Sequence, residues 1–290
     1  MKKILVLGST GMAGHLITLY FHELNYDVTA LSTTAFPYTN NIICDVMQDG
    51  QFSKIITEGN YDVIINCIGV LNQSAEDYKD KAVYLNSYLP HKICKLIEKT
   101  KTKYIHMSTD CVFSGEADYY VENSLRDGNT FYDRSKALGE INDNKNLTFR
   151  NSIIGPDMNE NGIGLFNWFM KQTNNINGFD GVKWTGVTTI TLAKAMEQAI
   201  NENLTGIYNL VNNTTITKYD MLKLFNKLSH KNLNITRKSD VKVSKILKNT
   251  RQNEFSFVVP SYEVMIFDMF DWINKHKNLY KHYFEKEISK

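Results

Sequence analysis

The N-terminal stretch KKILVLGSTGMAG, residues 2–14, places the strongest constraint on how this chain folds. An apolar run at residues 4–7 leads directly into a turn with three glycines, and a helix-like pattern follows at residues 15–21. The glycines are Gly8, Gly11 and Gly14, in the spacing G-x-x-G-x-x-G. A buried strand, a tight turn and a helix N-terminus in this order leave backbone N–H groups free and let a pyrophosphate approach the main chain. The spacing differs from the commoner G-x-G-x-x-G, and glycine triplets also occur in plain turns, but the position between strand and helix favours a nucleotide site.

Strand-like and helix-like runs alternate through the first half of the chain. The predicted strands after the first are residues 28–31, 42–45, 61–67, 103–108 and 147–150, and the predicted helices include residues 82–99 and 131–141. The fourth strand is apolar almost throughout, which is typical of a strand buried on both faces. Alternation over ~150 residues implies right-handed crossovers and a parallel sheet. The predicted fold class is therefore α/β, a Rossmann-type doubly wound parallel sheet.

The regular alternation ends near Asn151. Predicted helices at residues 165–172, 191–201, 218–228 and 262–283 are separated by turns, and residues 207–211 form a strand that is able to rejoin the main sheet. We predict a nucleotide-binding domain of residues 1–155 plus about 185–212, and a smaller, discontinuous α/β substrate lobe of residues 156–184 and 213–290. The last helix is rich in aromatic residues, which either fill the core or form a homodimer interface.

Composition excludes several classes of function. A chain of 290 residues with 42% hydrophobic content can bury a substantial core, and its net charge of +2 is too balanced for a nucleic-acid-binding surface. No apolar run approaches the ~20 residues of a membrane span, and the N-terminal apolar run is too short for a signal peptide. The four cysteines form no C-x-x-C pair, so we expect buried thiols in a reducing cytoplasm and predict no metal site.

Tyr132 and Lys136 give the second chemical signal. Because they are four residues apart on a predicted helix, they share one face. A lysine ammonium near a phenol is expected to lower the tyrosine pKa from its usual ~10 toward neutrality, which makes the tyrosine a usable general acid or base. Chance produces Y-x-x-x-K often, mostly on surface helices, so its place after the strand at residues 103–108 matters. That strand delivers Thr109 to the carboxyl edge of the sheet, where ligands bind, although a helix cap or a loop hydrogen bond is the alternative role for Thr109.

The residues after the second strand bear on the choice of cofactor. Folds that bind NAD usually hold the ribose 2′-OH with an Asp or Glu ~20 residues beyond the glycine loop. This chain has LSTT at residues 31–34, without an acid, and no nearby arginine that would strongly favour a 2′-phosphate. We therefore predict NADP(H) as the preferred cofactor, with NAD(H) as the alternative. The predicted cofactor contacts in this part of the chain are Gly8, Thr10, Gly11, Met12, Ser32 and Thr33.

Three motifs, in order along the chain, resemble those of a known family. They are G-x-x-G-x-x-G from Gly8, S-T-D-x-V-F-x-G from Ser108 and Y-x-x-x-K-x-x-G-E from Tyr132. Together they resemble the extended short-chain dehydrogenase/reductases, and within these most closely the dTDP-4-dehydrorhamnose reductase branch. The resemblance covers residues 1–155 well and the remainder loosely.

The resemblance implies roles for individual residues. Thr109, Tyr132 and Lys136 become the catalytic triad. Asp45 is placed near the adenine, and Asn86 is placed where a helix asparagine supports the lysine through water. The implied further cofactor contacts are Asp45, Val46, Cys67, Ile68, Gly69, Asn86 and Ser108. The implied substrate contacts are Val70, Asp110, Cys111, Arg150, Trp184 and Arg251.

Two of these substrate residues have alternative interpretations. Trp184 stacks either on a base or sugar ring or within the core. Arg251 either clamps the nucleotide phosphates or lies on a solvated basic face.

Departures from the family pattern bear on the substrate. The family has Tyr where Cys111 stands, and that tyrosine is implied to contact the sugar, so a different sugar is expected here. It has Gly where Asp133 stands, and an acid in the first turn of a helix is favourable in any case. Residues 181–189, GVKWTGVTT, resemble reductases of the same branch that act on UDP-activated 4-keto amino sugars more than the rhamnose enzymes.

The resulting hypothesis is an NAD(P)H-dependent reduction of the 4-keto group of a nucleotide-activated 6-deoxysugar in the cytoplasm, for surface-glycan biosynthesis. The substrate is either dTDP-4-dehydrorhamnose or a UDP-4-keto-6-deoxy amino sugar. One alternative is a nucleotide-sugar epimerase or dehydratase, although dehydratases want a second acid where Cys111 follows Asp110. The other is a non-catalytic, NADP-binding regulatory subunit, which the pair Tyr132 and Lys136 disfavours.

Overall fold

A computed structural model describes residues Met1–Phe284. Its strands are β1 (Lys3–Leu7), β2 (Asp27–Ser32), β3 (Asn40–Ile43), β4 (Val63–Asn66), β5 (Lys103–Met107), β6 (Leu147–Arg150), β7 (Ser152–Ile154), β8 (Ile176–Phe179), β9 (Val182–Trp184), β10 (Gly186–Thr188), β11 (Gly206–Asn209), β12 (Ile216–Thr217), β13 (Ile235–Lys238) and β14 (Val243–Ser244). Seven of them form a parallel sheet in the order β11-β6-β5-β4-β1-β2-β3. The predicted Rossmann-type α/β class is therefore confirmed, and the strand predicted at residues 207–211 does rejoin the main sheet as β11.

The helices lie on both faces of this sheet and beside the smaller sheets of the second half of the chain. They are α1 (Met12–Glu23), α2 (Asp49–Glu58), α3 (Asn72–Asp77), α4 (Lys79–Ala82), α5 (Leu89–Leu96), α6 (Phe131–Leu138), α7 (Leu165–Lys171), α8 (Thr189–Asn201), α9 (Lys218–Ser229) and α10 (Tyr262–Lys275). On one face α1 and α8 pack together over a large apolar core, and on the other α2 and α5 cover a smaller one. The strands between them are apolar because both of their faces are buried.

The register aligns the carboxyl ends of the central strands. Leu7 pairs with Leu31 on one side and with Asn66 on the other, and Asn66 in turn pairs with His106. The strand order reverses between β1 and β4, and in open α/β sheets ligands bind in the crevice at such a switch point. The residues that follow these strands therefore meet at one edge.

Two predicted helices differ from the observed ones. The helix expected at residues 82–99 is interrupted by a π-helical turn at Val83–Tyr88, between α4 and α5. The helix expected at residues 262–283 ends at Lys275, and two 3-10 turns follow. A helix pattern read from apolar spacing does not resolve a single π turn, because the apolar face continues through it.

The C-terminal segment packs onto the first helix. The Tyr280 hydroxyl lies 2.8 Å from Nε2 of His15 and accepts a hydrogen bond from the Trp272 indole at 3.0 Å. Burial lowers the pKa of His15 to about 4, so this imidazole is neutral at physiological pH. The aromatic residues of the C-terminal segment thus serve mainly the core, although Phe267 is 61% exposed.

The remaining strands build small sheets after residue 151. β7 pairs with β10, β8 pairs with β13, and β9 lies between β12 and β14. Helices α9 and α10 pack against each other in this region. The division into a nucleotide-binding domain and a substrate lobe remains a prediction, and the packing of α8 and β11 with the main sheet agrees with it. None of the helices within residues 1–284 has both the length and the apolar character that a membrane span requires.

Candidate active site

The glycine loop connects β1 to α1 and is hydrogen-bonded to the end of β2. Gly8 has a φ of +78°, in the left-handed region that favours glycine, and its N–H donates to the Leu31 carbonyl at 2.8 Å. A Cβ added to Gly8 would lie 3.0 Å from Cγ1 of Ile68, so the loop touches the turn that follows β4. A Cβ on Gly14 would lie 2.0 Å from the Gly8 carbonyl oxygen, which shows that α1 packs directly on the loop.

Gly11 differs from the other two glycines because the protein leaves space beside it. An added Cβ would meet only the Gly8 carbonyl oxygen, at an ordinary 3.5 Å. Gly11 is also the N-cap of α1, and no side chain caps the helix there. The first N–H groups of a helix have no intrahelical acceptor and carry the positive end of its dipole. This open, uncapped N-terminus is suited to a phosphate, and the predicted contacts Thr10 and Met12 flank it.

The ends of β2 and β3 carry the residues predicted near the adenosine. Ser32 is buried, and its hydroxyl donates to the Thr34 carbonyl at 2.7 Å, whereas Thr33 is exposed. Asp45 is exposed and its carboxylate accepts from the N–H of Met47, at the start of the turn into α2. The structure thus leaves Thr33 and Asp45 accessible, while Ser32 is engaged in the turn.

Thr109 and Tyr132 meet at the carboxyl end of β5. The Thr109 hydroxyl accepts from the N–H of Cys111 and donates to the Asp110 carboxylate, both at 3.1 Å. The Thr109 side chain also acts on Tyr132, because as a hydrogen-bond partner it favours a lower pKa of the phenol. The two alternatives for Thr109 therefore both hold, because it caps a short 3-10 turn and lies beside the tyrosine.

The expected lowering of the Tyr132 pKa is wrong for this structure. Burial raises the pKa of Tyr132, and the nearby Cys111 and Asp110 raise it further, while the hydrogen bond with Thr109 opposes the shift. The expectation counted the lysine on the same helix face and left out burial, which disfavours the phenolate. Tyr132 is therefore a neutral phenol that carries its proton.

Lys136 is buried on the same helix as Tyr132 and is anchored at one point. Its Nζ donates to the Met107 carbonyl at 2.6 Å, so β5 and α6 are joined at this point. Burial lowers the pKa of Lys136 to about 8, against the opposite effects of the Glu140 carboxylate and Cys67. A charged lysine held near its pKa at neutral pH is a common property of functional sites.

The start of α6 fixes the direction of the catalytic side chains. Thr130 and Asp133 form a capping box, in which each side chain accepts from the backbone N–H of the other. Asp133 also lies 3.6 Å from Nζ of Lys245, a residue that follows β14. The acid that replaces the family's glycine thus caps the helix and contacts a cation from the second half of the chain.

The Asn86 side chain is hydrogen-bonded to the backbone of Val70, in the loop that follows β4. Both N–H groups of the Asn86 amide are engaged, with the Val70 carbonyl and the Ser135 hydroxyl, and its carbonyl accepts from the Val70 N–H. The amide thus fastens the loop after β4 to the residue before Lys136. Val70 and Cys111 both pack in the same apolar cluster as Tyr132. The turn Cys67–Gly69 lies along the same edge.

Arg150, predicted as a substrate contact, is instead part of a buried ion-pair network. Its guanidinium binds both carboxylate oxygens of Glu140, at 2.8 and 2.7 Å, and lies 4.9 Å over the ring of Phe113. Glu140 accepts further hydrogen bonds from Ser108 and Arg126. Although burial alone would raise it, the pKa of Glu140 is lowered, because Arg150 and these donors stabilise the carboxylate. Arg150 therefore anchors Glu140, which is not among the residues predicted for the site.

Arg251 is not at this edge of the sheet. Its guanidinium donates to the carbonyls of Thr205 and Ile207 at the amino end of β11, and it pairs with Glu254. The amino ends of parallel strands lie opposite the edge that holds Thr109, so the expected phosphate clamp is wrong for Arg251. Lys245 is a cation nearer to Thr109 than Arg251 is, and its charge lowers the pKa of the neighbouring groups Asp110 and Cys111 against the effect of burial.

Trp184 ends β9 and is partly exposed. Its ring lies 5.9 Å from that of Tyr262, and a Cβ on Gly186 would lie 2.4 Å from its Cζ2. These contacts agree with the core interpretation, and a stacking role toward a ligand remains a prediction. Within residues 1–284, no group of His, Cys, Asp and Glu side chains is arranged to hold a metal ion.

The chain matches a known family over most of its length. A sequence model of the family described as the RmlD substrate binding domain matches residues 1–256. A dTDP-4-dehydrorhamnose reductase from Mycolicibacterium smegmatis is 27% identical over 143 residues, which cover 48% of this chain. The match spans 40% of that relative's own length.

Solved structures with the same fold cover nearly the whole chain. A dTDP-4-dehydrorhamnose reductase from Bacillus anthracis in complex with NADP has a TM-score of 0.79 at 19% identity, and covers 93% of this chain and 97% of that one. A dTDP-glucose 4,6-dehydratase from the same organism in complex with NAD has a TM-score of 0.74 at 16% identity, and covers 98% of this chain and 100% of that one. At these identities the likeness is one of fold.

Proposed function

Because the chain belongs to the family of the RmlD substrate binding domain, the dTDP-4-dehydrorhamnose reductase-like branch of the extended short-chain dehydrogenase/reductases, we propose that it reduces the 4-keto group of a nucleotide-activated 6-deoxysugar. The observation that carries the proposal is the meeting of Thr109, Tyr132 and Lys136 at the sheet edge beside the glycine loop. We assign the reaction to the cytoplasm and its product to surface-glycan assembly.

The residues present fit a nicotinamide dinucleotide. The uncapped end of α1 at Gly11 would hold the pyrophosphate, and the turn Cys67–Gly69 would line the nicotinamide half. Such a cofactor supplies a hydride to the sugar carbonyl carbon. We propose NADPH as the preferred form, with NADH as the alternative, because Thr33 offers an exposed hydroxyl and no acid follows β2 to repel a 2′-phosphate.

Each catalytic residue then has a separate task. Tyr132 keeps its proton because burial raises its pKa, so it is set up to donate that proton to the oxygen that gains charge. Thr109 would turn its hydroxyl proton from the Asp110 carboxylate to the same oxygen and stabilise the charge there. Lys136 is anchored on the Met107 carbonyl, and its remaining N–H groups would hold the cofactor ribose. The direction of proton transfer suits reduction of a carbonyl.

The sugar is the least constrained part of the proposal. Cys111 packs beside Tyr132, and burial raises the pKa of its thiol to about 12, so it presents a small neutral group. A tyrosine at this position would fill the space that Cys111 leaves. A substrate with a bulkier substituent than rhamnose, such as a UDP-4-keto-6-deoxy amino sugar, is therefore the first to test, with dTDP-4-dehydrorhamnose as the second.

Reduction is tested with purified protein, NADPH and a panel of dTDP-, UDP- and GDP-linked 4-keto-6-deoxysugars. We expect NADPH consumption with at least one of them, and a product that has gained two hydrogens by mass spectrometry. The dehydratase in the comparison makes an epimerase or dehydratase the main rival, and such an enzyme would convert a sugar without net NADPH consumption. Tight NADP binding and a stoichiometric protein partner, without turnover of any sugar, would instead support the regulatory subunit.

We propose Lys245 as the cation that binds the substrate's phosphates. It is 19% exposed and faces Asp133 at 3.6 Å, a distance too long for a hydrogen bond. Lys245→Met should raise KM for the nucleotide sugar by about tenfold with kcat little changed, because the contact serves binding rather than the chemical step. Lys242→Met is the matched control, since Lys242 is exposed three residues away and should leave KM unchanged. A normal KM in Lys245→Met would limit Lys245 to its contact with Asp133.

A further inference from the structure

A buried imidazole next to Lys136 has no role in the proposed chemistry. His106 lies on β5 and has no exposed surface. Its Nε2 has no hydrogen-bond partner among the protein atoms of residues 1–284. Buried polar atoms are nearly always satisfied, by protein or by ordered water, so this nitrogen requires an explanation.

A series of hydrogen bonds that ends at this imidazole determines which of its two nitrogens carries the proton. The N–H of Ile68 donates to Oδ1 of Asn66 at 3.0 Å, which fixes the orientation of the amide. The amide N–H of Asn66 then donates to the Tyr104 hydroxyl at 2.9 Å. The Tyr104 O–H, in turn, is 3.2 Å from Nδ1 of His106. Tyr104 therefore donates to Nδ1, and the neutral imidazole carries its own proton on Nε2.

Three observations place this imidazole beside Lys136. Nζ of Lys136 binds the carbonyl of Met107, the residue that follows His106. Tyr104, His106 and Ser108 share one face of β5, and Ser108 binds Glu140 just beyond α6. After burial, the charge of Lys136 is the largest influence on the pKa of His106, which is lowered far enough to keep the ring neutral. The fold therefore brings the N–H of the imidazole and the ammonium to the same end of β5, and both are donors.

Two donors do not bond to each other, but a water oxygen accepts from both. We propose that His106 is a positioning residue for Lys136, which it reaches through a buried water shared by Nε2–H and the ammonium. The same contact opposes the ammonium charge, because the positive end of the N–H dipole faces it. His106 thereby sets the pH at which Lys136 loses its proton. This inference rests on the proposed function in giving Lys136 a place in turnover and in taking NADPH as the ligand whose binding reports on Lys136.

The other charged and titratable groups around Lys136 act in defined directions. Glu140, which Arg150 and Arg126 hold as a carboxylate, and Cys67 after β4 both favour the ammonium. His91 also acts on His106, from its position on α5. None of these groups belongs to the series of hydrogen bonds that links Ile68, Asn66, Tyr104 and His106. Substitutions within that series therefore leave their charges unchanged.

The proton position is tested first in the cofactor-free protein, by long-range proton–nitrogen NMR of the histidine rings. We expect His106 as the Nε2–H tautomer, still neutral over the pH range in which an ordinary imidazole takes up its proton, because burial lowers its pKa. Tyr104→Phe removes the donor to Nδ1 and should mix the tautomers. An Nδ1–H tautomer in the unaltered protein, or a ring that protonates near its ordinary pKa, would overturn the proposal.

The effect on Lys136 is tested by the pH dependence of NADPH binding, which needs no sugar. Affinity should fall as pH rises through the pKa of Lys136, about 8 in the unaltered protein. His106→Asn keeps an acceptor for Tyr104 but lacks a group at the Nε2 position, so the fall should move upward by about one pH unit. His106→Gln places an amide N–H near that position and should restore the original profile.

Any other pattern overturns the proposal, including equal profiles in the two variants or a downward shift in His106→Asn. Thermal unfolding of both variants checks that each is folded. A protein with the expected tautomer and binding profiles that reduces no sugar would refute the proposed function and leave this inference standing.

Discussion

Tyr132→Phe is expected to lower kcat about a thousandfold, which is the range for loss of a positioned general acid. The phenol is the proton source, and without it the oxygen that gains charge keeps only the Thr109 hydroxyl. The phenylalanine ring should fill the same space against Ala75 and Ala82, so the fold and the NADPH dissociation constant should be nearly unchanged. Single-turnover NADPH oxidation, with the product followed by mass spectrometry, measures the chemical step directly.

The matched control is Tyr119→Phe, which removes a hydroxyl from an exposed tyrosine on the loop that follows Thr109. Its kcat should equal that of the unaltered protein. If Tyr132→Phe kept more than a tenth of the activity, another group would be the proton donor and Tyr132 would lose its assigned role.

Gly14→Ala is expected to give a large loss of stability, because a Cβ there would lie 2.0 Å from the oxygen and 2.8 Å from the carbon of the Gly8 carbonyl. Both atoms are backbone, so no side-chain rotation relieves the overlap. Either α1 or the glycine loop must move, at an expected cost of about 3 kcal/mol or more. Urea unfolding measures the loss as a lower midpoint with an unchanged slope.

Gly11→Ala separates cofactor binding from folding. Its Cβ would lie at an ordinary 3.5 Å from Gly8, and its φ of −81° suits any L-residue. Stability should therefore stay within about 0.5 kcal/mol, while NADPH affinity should fall at least about tenfold, because the methyl group occupies the space assigned to the pyrophosphate. If Gly11→Ala bound NADPH normally, the phosphates would not approach α1 at this point.

The sequence allowed the central sheet to be predicted because its signals are local. Each strand is a short apolar run bounded by turn residues, and the glycine loop marks the first crossover. The same locality brought Thr109 and Tyr132 to one edge, since residues that follow parallel strands must meet there. The π-helical turn within residues 79–96 was not predictable in this way, because its apolar spacing is that of a helix.

The arginines show why site residues are harder to predict than strands. Arg150 stands at the carboxyl end of β6, where a ligand-binding arginine would also stand. Only the fold reveals that both oxygens of Glu140 bind one edge of its guanidinium. Arg251 is held by two carbonyls at the start of β11, more than forty residues earlier in the chain. Long side chains reach partners that sequence spacing does not specify. Sequence spacing does not specify burial either, and burial raises the pKa of Tyr132 where a lowering was expected.

The contact between Tyr280 and His15 has a consequence for the order in which the chain matures. The helix that follows the glycine loop is synthesised well before its partner, because it gains this hydrogen bond from a residue 265 positions later. Contacts of such sequence separation form late in folding, because a long loop must close first. The strands of the sheet can pair as they emerge, but the helix that presents Gly11 is fully braced only after Tyr280 has been made. A nascent chain should therefore acquire its fold before it acquires its full affinity for the cofactor.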